Sequence, residues 1–362
     1  MQYYAVYVVE IAKIMLITGC GIFILTPLAR VLNLMDYPGG RKAHLKATPL
    51  IGGIAIFFGL VLSVYYLPIS KELYHHVLLG SFILLLIGAV DDRFDIRPRL
   101  RLVIQISAIF YMILAGKFCL NYVGEIFYFT DIYLHKISIP LTLILTLGFI
   151  NAINMLDGQD GLAGGVVLTE SLLLFAVSYY LGQTQLALLL LTFIGLLAVF
   201  LLFNMPLPWR HRASVFLGDS GSNFMAFFIA WCVIYLSQIE SQIIKPITLI
   251  WIVAFPFFDM TSACLIRTKQ KRSWADPGHD HIHHLLRKFN IPVFWSTFLL
   301  SGLSLGYGLL GVLFAWGQVS EGLQSYLYLV CFASYLLFTN WLSREHRNIQ
   351  SSFNSSIDFI SK

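Results

Sequence analysis

The residues best equipped for chemistry are aspartates, and they cluster in short polar segments between long apolar runs. Val90-Asp91-Asp92-Arg93-Phe94-Asp95 closes one such run. If a helix continues one turn past the run, Asp91 and Asp95 share a face beside Asp92, and three negative charges converge. A hard divalent cation, held by one or two carboxylates plus waters and substrate phosphates, is the ordinary remedy. The competing reading is a solvated turn neutralised by Arg93, Arg97, Arg99 and Arg101. Asn154-Met-Leu-Asp157-Gly158-Gln159-Asp160-Gly161 follows another run, with Asn and two Asp at three-residue steps and glycines that let the backbone approach a ligand. A plain cap or turn would need only one Asp and one Gly.

Gly218-Asp219-Ser220-Gly221-Ser222 opens a further run. Small residues at a helix start expose free N–H groups and a dipole suited to phosphate, with Asp219 placed to hold the metal that a phosphate brings. Asp219 as a simple N-cap competes with that reading. The segment after residue 267 is basic, with Arg267, Lys269, Lys271 and Arg272 ahead of Asp276 and Asp280-His281-Ile282-His283-His284. It suits an anion. His283 and His284 also suggest zinc, but no Cys or third ligand is spaced to complete a tetrahedral site, so phosphate hydrogen bonding is favoured. The segment from Asp36 to Pro49 adds Arg41, Lys42, His44 and Lys46 among turn residues, either for an anion or as a positive anchor at the membrane face.

The elements that carry these motifs are membrane helices. The chain has 362 residues, 58% hydrophobic and only 12% charged, with a mean hydropathy of +0.76. Ordinary soluble domains have about a quarter charged residues, so neither a soluble globule nor a disordered chain fits. A net charge of +5, dispersed along the chain, does not suggest nucleic-acid binding. The five cysteines, far apart, read as small buried hydrophobes. Spans are expected near 5–26, 50–67, 76–90, 100–116, 137–153, 164–182, 185–203, 220–238, 246–267, 293–316 and 325–342, since a bilayer crossing needs about 20 residues of helix. The first run carries Glu10 and Lys13 and lacks a cleavage site, so it is expected to stay as a span.

Alternate loops hold nineteen Lys and Arg on one side and four on the other, namely Lys71, Lys117, Lys136 and Lys245. Positive loops stay in the cytoplasm, so the N-terminus is expected outside, in the periplasm, and the C-terminus inside. The same parity gathers Asp36, Asp91, Asp92, Asp95, Asp157, Asp160, Asp219, Asp276 and Asp280 at the cytoplasmic face, with Asp259 at the inner end of its span. A transporter is expected to carry its ionisable groups near the midplane instead. The fold expected is an all-α polytopic bundle of about eleven spans, with residues 1–342 as one membrane-embedded catalytic domain and 343–362 as a cytoplasmic tail. Glu170 and Asp259 are expected to face the bundle interior.

The motifs resemble, in order and over nearly the whole chain, those of the polyprenyl-phosphate N-acetylhexosamine-1-phosphate transferases of bacterial envelope synthesis. They are Arg41-Lys42-x-His44-x3-Thr48-Pro49-x2-Gly52-Gly53, Asp91-Asp92-x2-Asp95, Asn154-x2-Asp157-Gly158-x-Asp160-Gly161, Gly218-Asp219-Ser220-Gly221-Ser222 and His281-Ile282-His283-His284. The chain looks like the branch that moves N-acetylglucosamine 1-phosphate. The branch acting on UDP-N-acetylmuramoyl-pentapeptide has Lys in place of Asp95 and three successive His in place of His-Ile-His-His. The resemblance implies an inner-membrane enzyme with its site at the cytoplasmic face, using UDP-N-acetylglucosamine, undecaprenyl phosphate and Mg²⁺ or Mn²⁺, as a homodimer. It assigns Asp219 as metal ligand with Asp92 or Asp91 as second contact, and Asp91 as acceptor of the lipid phosphate proton. Asp157, Asp160 and Asn154 position nucleotide and metal, with Asp95 in the same catalytic set. Asp36, Lys46, Arg267, Asp276, His281, His283 and His284 bind substrate. Direct attack by an Asp stays open, as do a muramoyl-pentapeptide transferase and a transporter.

Overall fold

The computed structural model describes residues 2–37, 47–207, 210, 212–241, 243–273, 278 and 280–360. Apart from one short antiparallel pair, β1 (Met35–Asp36) with β2 (Thr48–Pro49), its framework is helical. The first helices are α1 (Gln2–Val31), α2 (Gly52–Tyr66), α3 (Lys71–Phe94) and α4 (Pro98–Leu114). The middle of the chain forms α5 (Ser138–Leu156), α6 (Leu162–Tyr180), α7 (Thr184–Asn204) and α8 (Gly218–Ser237). Then follow α9 (Pro246–Ile252), α10 (Ala254–Lys269), α11 (Ile282–Lys288), α12 (Val293–Trp316) and α13 (Glu321–Ile360).

This is a helical, multi-pass membrane protein. Among the described residues seven helices are long and apolar enough to cross a bilayer, or eight if the bent pair α9 and α10 counts as one span. The eleven expected spans each coincide with a helix or with that pair, but α2 has only 15 residues, and α4 has 17 with Arg99 and Arg101 in its opening turns. The run 76–90, short on its own, lies inside the 24 residues of α3, about 36 Å of helix. The pair α9 and α10 is bent by 67° at Val253. Pro256 lacks the N–H that would bond the carbonyl of Ile252, so one helix cannot run through.

Burial sorts the helices into centre and periphery. In α8, 89% of the apolar window is buried, against 22% in α1 and 28% in α12 and α13. A soluble fold could not leave such outward apolar faces, but a bilayer can. Phe224, Phe227, Phe228 and Trp231 of α8 are fully buried, and the helix packs against α2, α3, α5, α6 and α9. Glu170 and Asp259 are buried as expected, and Lys13 pairs with Glu10 at 2.8 Å.

Helices α3 and α8 cross in close backbone contact. A Cβ added to Gly88 would lie 2.4 Å from both Cα and N of Ser220, so only glycine permits this crossing. Gly88→Ala is expected to push the helices apart at a cost of about 1–3 kcal/mol, seen as a lowered thermal midpoint of the detergent-solubilised protein; an unchanged midpoint would contradict this packing.

Candidate active site

The site is built at the buried start of α8. Backbone hydrogen bonds hold it from one side: Gly52 and Gly53 donate to the carbonyls of Phe216 and Leu217 at 3.0 and 3.1 Å, and Phe216 donates to Pro49 at 2.9 Å. From the other side comes Asp92, near the end of α3. Its Oδ1 accepts the N–H of Asp219 at 2.8 Å and its Oδ2 accepts the N–H of Ser220 at 3.1 Å. Gly218 has φ +78°, and a Cβ there would lie 2.6 Å from Asp92 Oδ2, so glycine is required where the carboxylate closes on the helix.

Two expectations change here. The first amides of α8 are not free for phosphate, because Asp92 already satisfies them. Asp219 is not the N-cap either, since Leu217 holds that position and the capping carboxylate comes from another helix. The side chain of Asp219 is therefore turned to other partners. Asn154 Nδ2, from the last turns of α5, donates to Asp219 Oδ1 at 2.7 Å and to Ser222 Oγ at 3.0 Å. Arg101 Nη1, from α4, donates to Asp91 Oδ2 at 2.9 Å and reaches Asp219 Oδ2 at 3.3 Å. Asp91 Oδ1 accepts the N–H of Ile96 at 2.9 Å.

Asp157 and Asp160 follow α5 in the turn before α6. Burial and the fields of Asp219, Asp92 and Asp160 push the Asp157 carboxyl well above the usual carboxylate range. Burial and Asp219 push Asp92 up to about 7, against the two amides that favour its charged form. The turn is braced from beneath by α12: Gln159 Nε2 donates to Ser296 and Thr297, and Thr297 Oγ1 donates to the carbonyl of Asp160. Asp160 Oδ2 accepts the N–H of Ala213. Asn204 links the same turn to the segment before α8, accepting from Gly161 N–H and donating to the Val215 carbonyl.

The histidines divide into two kinds. His281 Nε2 meets Arg267 Nη2 at 3.2 Å, and arginine can only donate, so the ring proton sits on Nδ1 and is given to Asp259 Oδ2 at 2.8 Å. Asp259 also accepts the N–H of Ile282 and the hydroxyl of Tyr335, while Arg267 Nε donates to Asp280 at 3.0 Å. Arg267 and His281 thus pin α11 to α10 rather than project into open space. His283 is fully buried, neither ring nitrogen has a hydrogen-bond partner among the described residues, and it stands against Gly158 of the acidic turn. Burial and His284 hold it well below the usual histidine range, so the ring is neutral.

The structure thus brings Asp91, Asp92, Asn154, Asp157, Asp160, Asp219 and His283 to one end of the bundle. Asp95 does not join them: α3 ends at Phe94, and Asp95 is an exposed C-cap residue with φ 49°. Asp36 lies in β1 opposite Thr48. Lys46 and Asp276 lie outside the described residues. Arg101 and Asn204 carry roles that the sequence reading left unassigned; Arg101 was only one of four arginines beside the acidic motif.

Among the described residues no three His, Cys, Asp or Glu side chains form a ready-made metal cage. A magnesium-type ion uses one or two carboxylates and completes its shell with water and phosphate. The crowding that raises Asp157 and Asp92, beside the guanidinium of Arg101 on Asp91 and Asp219, is the electrostatic setting in which such an ion fits.

Residues 74–237 match the model of glycosyl transferase family 4. Similar proteins named undecaprenyl-phosphate alpha-N-acetylglucosaminyl 1-phosphate transferase occur in Escherichia coli K12, 31% identical over 331 residues, covering 90% of this chain and 89% of the relative. The Salmonella typhi relative is 34% identical over 283 residues, covering 77% and 76%. The Haemophilus influenzae relative is 31% identical over 335 residues, covering 90% and 94%.

The raised carboxylates set a pH dependence. A carboxyl whose folded pKa lies above its unfolded value near 4 binds its proton more tightly in the folded state, so its contribution is full below about pH 4 and is lost as pH rises through about 7. Without divalent cation, the Asp92 contribution should fall by about 2 kcal/mol between about pH 5.5 and pH 8, lowering the thermal midpoint in detergent. Added Mg²⁺ should restore stability chiefly at the higher pH. A midpoint that rises with pH in the presence of chelator would contradict the assignment.

Proposed function

The chain belongs to glycosyl transferase family 4, and from that premise we propose that it transfers N-acetylglucosamine 1-phosphate from UDP-N-acetylglucosamine to undecaprenyl phosphate, giving undecaprenyl-diphosphate-N-acetylglucosamine and UMP. The observation that carries the reading is the convergence of Asp219, Asn154, Asp91 and Arg101 from four different helices on one half-buried point. Such a gathering of carboxylates around one guanidinium suits a cation and a substrate rich in phosphate. The product is the lipid-linked starter of a surface polysaccharide such as O-antigen or enterobacterial common antigen. In this reading eleven spans place the N-terminus in the periplasm and the acidic end of the bundle at the cytoplasmic face of the bacterial inner membrane, where the positive loops lie. The working unit is a homodimer.

A lipid phosphate oxygen attacks the β-phosphorus of the donor, and UMP leaves. Positioning and charge neutralisation dominate such a step. Asp219 and Asp157 would hold Mg²⁺ or Mn²⁺, which supplies positive charge against the diphosphate. Asp92 keeps the start of α8 closed, so that Asp219 is presented rather than spent on its own helix. The second pKa of a phosphate monoester is near 6, so much of the lipid is already dianionic and little base catalysis is needed. Both oxygens of Asp91 are engaged, by Arg101 and Ile96, so Asp91 would take any remaining proton only once Arg101 lets go of it. Neutral His283 stands behind Gly158 and would reach the sugar phosphate only where that turn moves aside, and Arg267, His281 and Asp259 keep its helix in place.

The purified protein, given UDP-N-acetylglucosamine and undecaprenyl phosphate, is expected to release UMP with Mg²⁺ and not with chelator. UDP-N-acetylmuramoyl-pentapeptide is expected to give none, and release from that donor alone would move the chain to the sister branch. Asp219→Asn should lower turnover by about 100-fold or more, as removal of a preorganised electrostatic group does; wild-type turnover at low Mg²⁺ would remove Asp219 from the metal.

A further inference from the structure

Arg101 is placed against the grain of its own helix. It lies in the opening turns of α4, with Pro98 at the start, where the helix dipole disfavours a cation. What holds it there is a pair of carboxylates from two other helices, Asp91 of α3 and Asp219 of α8, both reached by the single nitrogen Nη1 at 2.9 and 3.3 Å. A guanidinium has five N–H donors on three nitrogens. Among the described residues no hydrogen bond is made by Nη2 or Nε of Arg101, and the side chain is 27% exposed. One nitrogen therefore serves as a counter-ion between carboxylates while the rest of a phosphate-binding fork stands unused.

Building on the cation reading above, we propose that Arg101 is a resident counter-ion of the substrate-free site. It neutralises Asp91 and Asp219 in the absence of a divalent cation, yields Asp219 when one binds, and then takes a substrate phosphate through its free N–H groups. The device keeps the carboxylates gathered between turnovers without a tightly held metal. Cation and diphosphate then bind as coupled events, because the cation frees the group that the diphosphate needs.

The test is binding by the full-length protein in detergent, with Mn²⁺ followed by electron paramagnetic resonance and UDP by calorimetry. Relative to wild type, Arg101→Gln is expected to bind Mn²⁺ alone about tenfold more tightly, since the competing charge is gone, yet to bind UDP in the presence of Mn²⁺ about tenfold more weakly, within the usual range of coupling between sites. Arg101→Lys keeps the charge but not the fork, so its Mn²⁺ affinity should stay near wild type while UDP weakens; it serves as the second variant should Arg101→Gln not fold. If Arg101 only braces α4 against α8, Mn²⁺ affinity in Arg101→Gln is unchanged or lower, and the proposal fails while the cation reading stands. Wild-type protein that binds no Mn²⁺ with or without UDP would overturn the cation reading itself, and this proposal with it.

Discussion

Everything at the candidate site depends on one carboxylate capping a helix that is not its own. Asp92 accepts the first amides of α8 where that helix begins against α2 and α3, and an unpaired N–H there costs as much as a lost hydrogen bond. By satisfying them from α3, the fold frees Asp219 from the capping duty that an aspartate at a helix start normally takes. The result is a division of labour between two acids. One is structural in its contacts and the other is left to face Asn154 and Arg101.

Much of this was legible in the chain and some of it was not. Charge parity across alternate loops groups Asp91, Asp157 and Asp219 from the sequence alone, because membrane insertion sorts charged loops by side, and the structure brings the same loops together. Helix existence followed from apolar run length. What one-dimensional spacing cannot hold is which partner a side chain chooses. Asp219 and Asp92 look alike as acids beside small residues, and only the α3–α8 crossing at Gly88 says which of them caps. Asp95 misled for a local reason: the i,i+4 relation to Asp91 assumes another helical turn, and α3 ends one residue before it.

Arg101 and Asn204 were hidden for a different reason. Their contacts join elements distant in sequence, and neither sits in a motif. Arg267 and His281 show the reverse case, residues that the sequence marks as anion binders and whose contacts in the structure also fasten α11 through Asp259. Polar residues in a membrane bundle also serve as fasteners, because an unsatisfied group in that medium is so costly.

The close crossing of α3 and α8 also ties both carboxylates of the acidic pair to one helix contact. The outer face of α3, with Leu79, Phe82, Leu86 and Val90, is exposed, while its inner face is locked to α8 at Gly88 and its end is bonded to the α8 amides. Asp91 and Asp92 leave that end in different directions, one toward Arg101 and the other against α8. The end of α3 and the start of α8 therefore move as one piece, and neither helix can shift away from the other without breaking the bonds that cap α8.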